Sequence, residues 1–490
     1  MRRNKNGLLC SLPVSQVPPF SFLFIFNYTL ALAVLFSSGC EPALDARSVL
    51  LIDTIINADR DLIATRPGLV ARKYQTMAGG LQPFLRGTAA VFYRDLSRYQ
   101  GDSAMVFHGP LTEQTQLYGD LHLENLGVSF DSQGVLFDVV DFDATIRGPF
   151  AWELRRSALA LRTALFLAGQ DDAALDQAIR SLAQQYSQTI LEHAEVSQDT
   201  PLRETDPKAG RIVAELLADG RKRNDQQEEL SQYTELREGQ RKLRRNEDLI
   251  DLSQPWLRDL PTLLLRYRAT RLAGPLDDTQ MVVLDAAQRL NAGVASLPNL
   301  RFWVLLSGPN LNGRTKKQDA EWILEFKEER DPPFPLMWLS RGPLGRNDER
   351  VFAGTKKLRA SMSSEADLGA FEFAGVSFQA RRVLRGRRDL DVQKLSERLL
   401  SGRYGRQDIL DLGGAMGILL ANGHARSGHA RAIWEVLDDN DRAATFADSL
   451  VARSRSDLDR LRGDFLLFQA ALHRLGPLLG YWVEAGVTHE

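Results

Sequence analysis

Apolar residues recur at helical spacing over much of this chain. The spacing of three and four residues predicts helices in 45–70 and 150–193, the second stretch as two helices. It returns from about 390 to the end, most clearly in 409–421 and 457–475. The pattern therefore predicts helical regions on both sides of a central segment.

That central segment has the pattern of β-strands. The runs FWVLL (302–306) and WILEFK (322–327) flank a polar connection that contains Gly and Asn, and 377–384 is a further short strand. The order helical, β-rich, helical predicts an α+β fold, with a mostly helical large lobe and a small antiparallel β-rich lobe. The charge-dense segment 200–255 is interpreted as a solvated, partly helical surface, with a basic docking patch as the alternative.

Composition narrows the class of protein. The 490 residues are 44% hydrophobic, enough for a large core and two or more structural units. A formal net charge of −2 lacks the basic excess of nucleic-acid-binding proteins, so no nucleic acid partner is expected. The two cysteines, Cys10 and Cys40, both precede the body of the chain, which excludes a disulfide framework or a cysteine metal cluster there.

The first forty residues resemble an export signal. Basic residues at positions 2, 3 and 5 precede an apolar run (20–36) and the sequence SSGC (37–40). Small residues before a cysteine are similar to a bacterial lipoprotein cleavage site, with Cys40 as the lipidated residue. This resemblance predicts a lipid-anchored protein of the cell envelope; an uncleaved N-terminal anchor and a wrongly assigned start are the alternatives.

Residues that could bind a metal or take part in catalysis are concentrated in the segment 117–149, which reads LYGDLHLENLGVSFDSQGVLFDVVDFDATIRGP. Gly119 predicts a tight turn that presents Asp120, and an acidic group at Asp138, Asp141 and Asp143 follows a predicted hairpin. Carboxylates among strand-like apolar residues are costly to bury unless a cation pairs with them. The segment therefore predicts a site for a metal or another cation.

GDLHLEN resembles the HGDLHPGN-type catalytic loop of aminoglycoside and choline kinases, with Tyr118 in place of the first His. The resemblance implies that Asp120 orients or deprotonates an acceptor hydroxyl and that Asn125 binds a metal. The alternative is a purely structural loop, in which the Asp and Asn side chains form capping hydrogen bonds to the backbone.

FDVVDFDATIRGP resembles the metal-binding turn of the same fold. That resemblance implies that Asp141 binds the Mg²⁺ bridging the phosphates and that Asp143 is a second ligand. Asp138, three residues earlier, is interpreted as structural.

Five blocks together resemble the bacterial domain-of-unknown-function family DUF2252, from about residue 70 to 470. They are KYxxM from Lys73, FLRG from Phe84, GDLHLEN, FDVVDFDATIRGPFAWELRR and GHARSG from Gly423. The family brings no assigned activity, so functional expectations rest on the kinase-like blocks.

A phosphate-holding lobe is predicted downstream of the catalytic loop. NAGVASLP (291–298) resembles a reduced glycine-rich turn that keeps Gly293. The predicted strand 302–306 follows it, and Lys327 ends the next predicted strand, 322–327. The helix at 417–425 resembles the one that precedes the catalytic loop in small-molecule kinases. The order implies a circularly permuted, protein-kinase-like fold. Its predicted segments are a signal (1–40), a helical lobe (41–280), a β-rich nucleotide lobe (281–388) and a C-terminal helical segment (389–490).

The predicted function is an ATP- and Mg²⁺-dependent phosphotransferase acting on an unknown small acceptor. One alternative is a non-catalytic, pseudokinase-like binding lipoprotein. Another is a metal-dependent phosphoesterase, because Asp120-x-His122 resembles the DxH opening of that class, although no GDxxD or GNH block completes it.

For several residues a structural interpretation competes with a functional one. Lys327 can be a solvated charge at a strand end, and Glu349 is a candidate partner for it. Arg86 is expected to cap a helix or to pair with a structural acid rather than to contact phosphate, and His424 is expected to be packed and hydrogen-bonded. Arg381 and Arg382 are expected at the surface or between lobes.

Overall fold

Four consecutive helices open the folded part of the chain: Ala46–Thr65 (α1), Pro67–Ala78 (α2), Leu81–Gly87 (α3) and Ala89–Arg98 (α4). The structure is a computed structural model that describes residues 45–98, 111–196, 199–224, 226–276, 281–307, 321–335, 345–383, 386–438 and 442–481. The predicted export signal and Cys40 lie outside these residues.

The acidic segment is framed by short antiparallel strands. Thr115–Leu117 (β1) pairs with Ile146–Gly148 (β4), and between them Leu126–Asp131 (β2) pairs with Gly134–Val139 (β3). The hairpin predicted between the two acidic blocks is thus confirmed. Two long helices follow, Phe150–Leu167 (α5) and Asp172–Val196 (α6), as the spacing of 150–193 predicted.

The charge-dense segment contains more β-structure than its sequence predicted. Helices Gly210–Lys222 (α7) and Gln226–Tyr233 (α8) are followed by a hairpin of Thr234–Arg237 (β5) and Gln240–Leu243 (β6). Then come Leu249–Asp251 (β7) and the helix Gln254–Thr270 (α9).

A six-stranded antiparallel sheet forms the β-rich region. Its further members are Val282–Arg289 (β8), Arg301–Ser307 (β9), Glu321–Glu329 (β10), Gly369–Phe373 (β11) and Val376–Arg382 (β12), with the helix Asn347–Leu358 (α10) between β10 and β11. The strand order is β11-β12-β10-β9-β8-β7. Every residue of the interior strand β10 is buried, including its charged residues.

Four helices end the described chain: Val392–Leu400 (α11), Arg406–Ala425 (α12), Ala430–Asp438 (α13) and Arg442–Leu475 (α14). α12 packs directly against α6. A Cβ atom at Gly413 would lie 2.3 Å from the carbonyl oxygen of Ala178, and one at Gly417 would lie 2.3 Å from that of Leu182. Glycines therefore allow the two backbones to approach closely.

The predicted α+β class is confirmed. Helices and the acidic segment share one large apolar core, and the sheet has a second core together with α9. Within the described residues, no helix has both the length and the apolar character needed to cross a membrane.

Candidate functional site

A cavity of about 880 Å³ collects most of the predicted site residues. Asp120, Asn125, Asp141 and Asp143 line it, as does Gly293 from the loop between β8 and β9. Residues that are far apart in sequence therefore meet at one place, which the spacing of the motifs alone does not require.

The turn before Asp120 requires glycine. Gly119 has a φ angle of +87°, and a Cβ there would lie 1.9 Å from the carbonyl oxygen of Ala144. The backbone N–H groups of Tyr118 and Gly119 donate to the two carboxylate oxygens of Glu153, at 3.0 and 2.6 Å. A buried carboxylate thus fixes the turn that presents Asp120.

Glu153 is itself held by a buried chain of side chains. His424 Nε2 lies 2.9 Å from Oε2 of Glu153, and His424 Nδ1 lies 2.8 Å from the hydroxyl of Tyr186. Glu153, His424 and Tyr186 are all fully buried. The interpretation of His424 as a packed, hydrogen-bonded residue is confirmed. Through its contact with Glu153, His424 connects the helix α12 to the turn before Asp120.

Asp120 pairs with a buried arginine. Arg156 Nε donates to Oδ1 of Asp120 at 2.9 Å, and Arg156 Nη2 donates to the carbonyl of Leu85 at 2.7 Å. Burial raises the pKa of Asp120, and the charge of Arg156 opposes that rise. A carboxylate with a raised pKa, held by one guanidinium, has the properties of a general base.

Asn125 joins the two acidic blocks. Its side-chain Nδ2 donates to the backbone carbonyl of Asp120 at 3.0 Å, and its backbone carbonyl accepts the N–H of Val140 at 2.9 Å. The amide nitrogen therefore holds the loop, while the amide oxygen has the ligand type that Mg²⁺ prefers.

Lys327 connects the sheet to the acidic segment. Its Nζ lies 3.1 Å from both carboxylate oxygens of Asp141, which is 186 residues away in sequence, and it also forms an ion pair with Asp143. The Lys327 side chain is 2% exposed. It is therefore a buried charge facing two acids, and the interpretation as a solvated strand-end charge is wrong.

The pKa values of the two acids shift in opposite directions, although Lys327 lowers both. Burial would raise the pKa of Asp141, but the charge of Lys327 holds it well below its ordinary value. Burial and the neighbouring charge of Asp141 raise the pKa of Asp143 to about 6. Burial would lower the pKa of Lys327, but the two carboxylates raise it. At neutral pH the group holds one ammonium and at least one carboxylate.

Glu329 is a third acid that the motifs did not identify. It follows Lys327 by two residues on the same face of β10 and lines the cavity. Both of its carboxylate oxygens are buried and have no hydrogen-bond partner among the residues that the structure describes. Burial and the charge of Asp143 raise its pKa well above the ordinary value. The nearby Arg350 donates instead to the carbonyls of Asp143, Thr145 and Arg330.

Gly293 lies in the cavity wall as expected for the predicted glycine-rich turn. Its φ angle is +80°, and the preceding Asn291 also has a positive φ, of 55°. Asn291 Oδ1 accepts a hydrogen bond from Arg72 at 2.9 Å, which ties this loop to the helix α2. The loop joins β8 to β9 and reaches the same cavity as Lys327's partners.

Two further interpretations are confirmed. Asp138 is buried and accepts the backbone N–H groups of Val139 and Ala360, at 2.9 and 3.2 Å, so it is structural. Arg86 Nη1 donates to Oε1 of Glu124 at 2.9 Å, the expected pairing with an acid.

The remaining predicted partners take other positions. Glu349 is exposed and lies 3.0 Å from Arg346, so it is not the partner of Lys327. Arg381 donates to the carbonyl of Val140 at 3.1 Å, a contact between the sheet and the acidic segment. Arg382 lies over the ring of Trp322.

Metal-ligand geometry gives no support to a DxH-type site. His122 is buried, and its pKa is lowered well below the ordinary value by burial and by the charges of Arg86 and Arg156. In the part of the chain that the structure describes, no group of three or more His, Cys, Asp or Glu side chains is arranged to hold a metal ion. The residues that could hold one are a smaller set of oxygen donors, Asp141, Asp143 and Asn125.

The chain belongs to the family described as uncharacterized protein conserved in bacteria (DUF2252), whose model matches residues 65–471. The family resemblance of the sequence is thereby confirmed. No curated protein and no solved structure matches the chain. Because the family description names no activity, the function has to be argued from the site.

Proposed function

We propose that this protein is an ATP- and Mg²⁺-dependent phosphotransferase acting on a small acceptor. The observation that carries the proposal is the contact of the buried Lys327 with Asp141 and Asp143. Phosphotransferases of the kinase type need a lysine for the donor phosphates beside an aspartate for the metal. Here the two come from separate parts of the chain and meet beside a cavity that both aspartates line.

The residues fit a magnesium ion. Asp141, Asp143 and the amide oxygen of Asn125 are hard oxygen donors, and the carboxyl group of Glu329 is buried nearby with no hydrogen-bond partner among the described residues. Bound Mg²⁺ would neutralise the charge that develops on the transferred phosphoryl group. Lys327 would hold the phosphates of the donor, and the backbone around Gly293 would lie over them.

Asp120 is the general base in this proposal. Its position is set by the turn that Glu153 holds, and Arg156 limits its movement from the other side. Its raised pKa favours accepting a proton from the hydroxyl of an acceptor. The phosphoryl group then passes from the donor to that hydroxyl oxygen, and the donor leaves as its diphosphate.

The order of elements supports the finer proposal of a kinase-like, circularly permuted fold. A strand hairpin with a Gly293 loop, then the lysine strand, a helix and a second hairpin follow one another from β8 to β12. This is the order expected for a nucleotide-binding lobe, and it comes after the catalytic-loop-like segment. One departure is that the helix α10 supplies no acidic partner to Lys327.

The location outside the cytoplasm, through a lipid on Cys40, remains part of the proposal. Such a protein would meet ATP only where the nucleotide reaches the cell envelope. The acceptor is expected to be a small molecule.

The test measures Mg-ATP binding by calorimetry and phosphate release or transfer by radiolabelled ATP, using the purified full chain. Asp141→Asn is expected to lose Mg-ATP binding, and Asp120→Asn to keep binding while transfer falls by about 10²- to 10⁴-fold, the range for a lost general base. Asp176→Asn, which removes an acid paired with Arg162 and Arg455 outside the cavity lining, serves as the control and should retain both.

The outcomes separate the alternatives. Wild-type protein that binds no Mg-ATP overturns the proposal. Binding without turnover in all variants favours a non-catalytic, pseudokinase-like binding protein. Ester hydrolysis with Mn²⁺ and without nucleotide favours a phosphoesterase.

A further inference from the structure

A second charged group lies on β10, two residues before Lys327 and on the same face. Glu325 is buried, and three guanidinium groups share its carboxylate. Arg301 Nη1 lies 3.5 Å and Arg289 Nη1 lies 3.6 Å from Oε1, and Arg381 Nε lies 3.7 Å from Oε2. These four residues, named here the arginine cluster, all line the cavity.

Sheet pairing explains why the charges converge. Arg381 on β12 is the direct cross-strand neighbour of Glu325, and Arg301 on β9 is the neighbour of Lys327. Arg289 ends β8, and its guanidinium lies over the ring of Trp303 with 4.5 Å to the centroid. All three arginines thus come from regular strands of the sheet and not from loose surface positions.

The arginine cluster has more positive charge than its own acid balances. One carboxylate faces three guanidiniums, so two positive charges are left over. The three contacts are long compared with the usual N–H···O distance of about 2.9 Å. The closer donor to Glu325 is the neutral indole of Trp303, at 2.9 Å from Oε1. Neutralising Glu325 therefore does not account for all three arginines.

Neighbouring groups add charges of both signs to this region. Arg387 adds another guanidinium, which donates to the carbonyl of Val140 beside Arg381. Burial and the charge of Arg381 lower the pKa of Arg387 to about 10. Asp141 and Asp143, which contact Lys327, also act on Arg381, while Asp248 lies near Arg289 and Asp389 near Arg387.

The charge and shape of the guanidinium groups in the arginine cluster indicate what kind of ligand they would bind. The planar fork of arginine matches the oxygens of a phosphate group in two parallel hydrogen bonds. We propose that the arginine cluster binds a phosphate group, at a position separate from the phosphates beside Lys327. Two residues along a strand cover about 7 Å, so the two positions are adjacent on one wall.

This inference deepens the proposed function and rests on it for the phosphates beside Lys327. The bound phosphate has two possible sources: the phosphoanhydride chain of the donor, or a phosphate ester on the acceptor. Both present the same chemistry to the arginines.

The experiment is a calorimetric titration of the full chain with tripolyphosphate and, separately, with glycerol 3-phosphate, without metal and without nucleotide. Arg301→Gln is expected to weaken binding about tenfold, because one charge-assisted contact to phosphate is lost. Glu325→Gln is expected to tighten binding severalfold, because the carboxylate that competes with the phosphate is removed. A larger effect of Arg301→Gln on tripolyphosphate identifies a donor site, and a larger effect on glycerol 3-phosphate identifies an acceptor site.

The control is Arg245→Gln, which breaks ion pairs with Asp251 and Asp285 beside the same sheet but outside the cavity lining, and should leave both affinities unchanged. Arg289→Gln, a more exposed member of the arginine cluster, replaces Arg301→Gln if thermal melting shows that the latter does not fold. The proposal is overturned if neither anion binds, or if the arginine and Glu325 variants change affinity in the same direction.

The result is separable from the proposed function. Loss of phosphate transfer in Asp141→Asn with anion binding indifferent to Arg301 would reject the arginine cluster and keep the phosphotransferase. Anion binding that depends on Arg301, in a protein without Mg-ATP turnover, would do the reverse.

Discussion

Two groups of charge on the same face of β10 have opposite imbalances. Around Lys327 one ammonium is shared by Asp141 and Asp143, with the unpartnered Glu329 buried next to them. We name these four residues the acid cluster. In the arginine cluster, one carboxylate is shared by three guanidiniums.

A third buried group shows what a balanced arrangement looks like in this fold. The Glu153 carboxylate accepts two backbone N–H groups and contacts His424, which in turn contacts Tyr186. Buried polar groups are normally satisfied in this way, because an unpaired buried charge is strongly unfavourable. The acid and arginine clusters depart from that rule in opposite directions.

The opposite charge imbalances of the acid cluster and the arginine cluster lie next to each other. Excess negative charge suits a cation, and excess positive charge about 7 Å away along the strand suits a phosphate. A metal–phosphate ligand carries both charges. The difference between the two clusters therefore supports phosphoryl chemistry more strongly than either cluster alone.

The largest expected effect is that of Lys327→Met, which leaves the acid cluster without its cation. Breaking a buried pair costs about 3–5 kcal/mol, and we expect the lower end because Asp141 and Asp143 keep 32% and 28% of their side chains exposed. Excess Mg²⁺ should restore most of this loss by replacing the ammonium. Chemical denaturation with and without Mg²⁺ measures both effects.

Lys73→Met is the matched control for that prediction. Lys73 is similarly buried and lies 2.8 Å from both carboxylate oxygens of Asp59, its only acid contact at that range among the described residues. The variant should be destabilised, but Mg²⁺ should not restore it. Equal restoration of both variants, or of neither, would show that the acid cluster is not a selective cation site.

A smaller effect concerns pH, where the two clusters should respond in opposite senses. The pKa of Asp143 is raised to about 6, so the metal-free folded state binds a proton that the unfolded chain releases above about pH 4. The free energy of unfolding should therefore rise as the pH falls from about 7 to 5. We expect about 1–2 kcal/mol from this group, since partial exposure screens it.

Glu325 has the opposite sign. Although burial would raise its pKa, the charge of Arg301 and its neighbours lowers it, so its contribution to stability is present above about pH 4.5 and is lost below. Denaturation between pH 7 and pH 3 checks both windows. Asp143→Asn should flatten the first window and Glu325→Gln the second; a profile that neither variant changes would contradict the assigned charges.

The sequence predicted the helical regions and the central strands because their apolar spacing is regular. It did not predict the hairpin of β5 and β6, whose strands TELR and QRKL are short and dense in charge. Such strands carry no apolar alternation, so their conformation depends on pairing with each other and packing beside the sheet.

The candidate site was predictable only where local motifs exist. The resemblance of two short blocks to kinase-like motifs identified Asp120 and Asp141, and the search for a phosphate-holding lobe in the β-rich segment suggested Lys327. Glu329 and the arginine cluster were missed, because charged residues on alternate positions of a strand normally indicate a solvated face. Here both faces of β10 are buried, and only the three-dimensional packing shows this.

The smallest expected effect comes from Gly293→Ala, which alters the loop that joins Arg289 to Arg301. Alanine at a φ angle of +80° costs about 1 kcal/mol, and the added Cβ would lie 2.8 Å from Oγ of Ser296. Because the loop ends at two members of the arginine cluster, tripolyphosphate affinity should fall about threefold to tenfold while Mg²⁺ stabilisation stays unchanged. Calorimetry and thermal melting measure the two.

Gly375→Ala provides the control, since Gly375 has a φ angle of +79°, has no neighbouring atom within 4 Å of the added Cβ, and lies in the turn between β11 and β12 outside the cavity lining. It should lose a similar amount of stability and no anion affinity. If both glycine variants lose affinity equally, the loop has no specific part in phosphate binding. If Gly293→Ala weakens Mg²⁺ stabilisation as much as anion binding, the two clusters act as one site and the distinction between them fails.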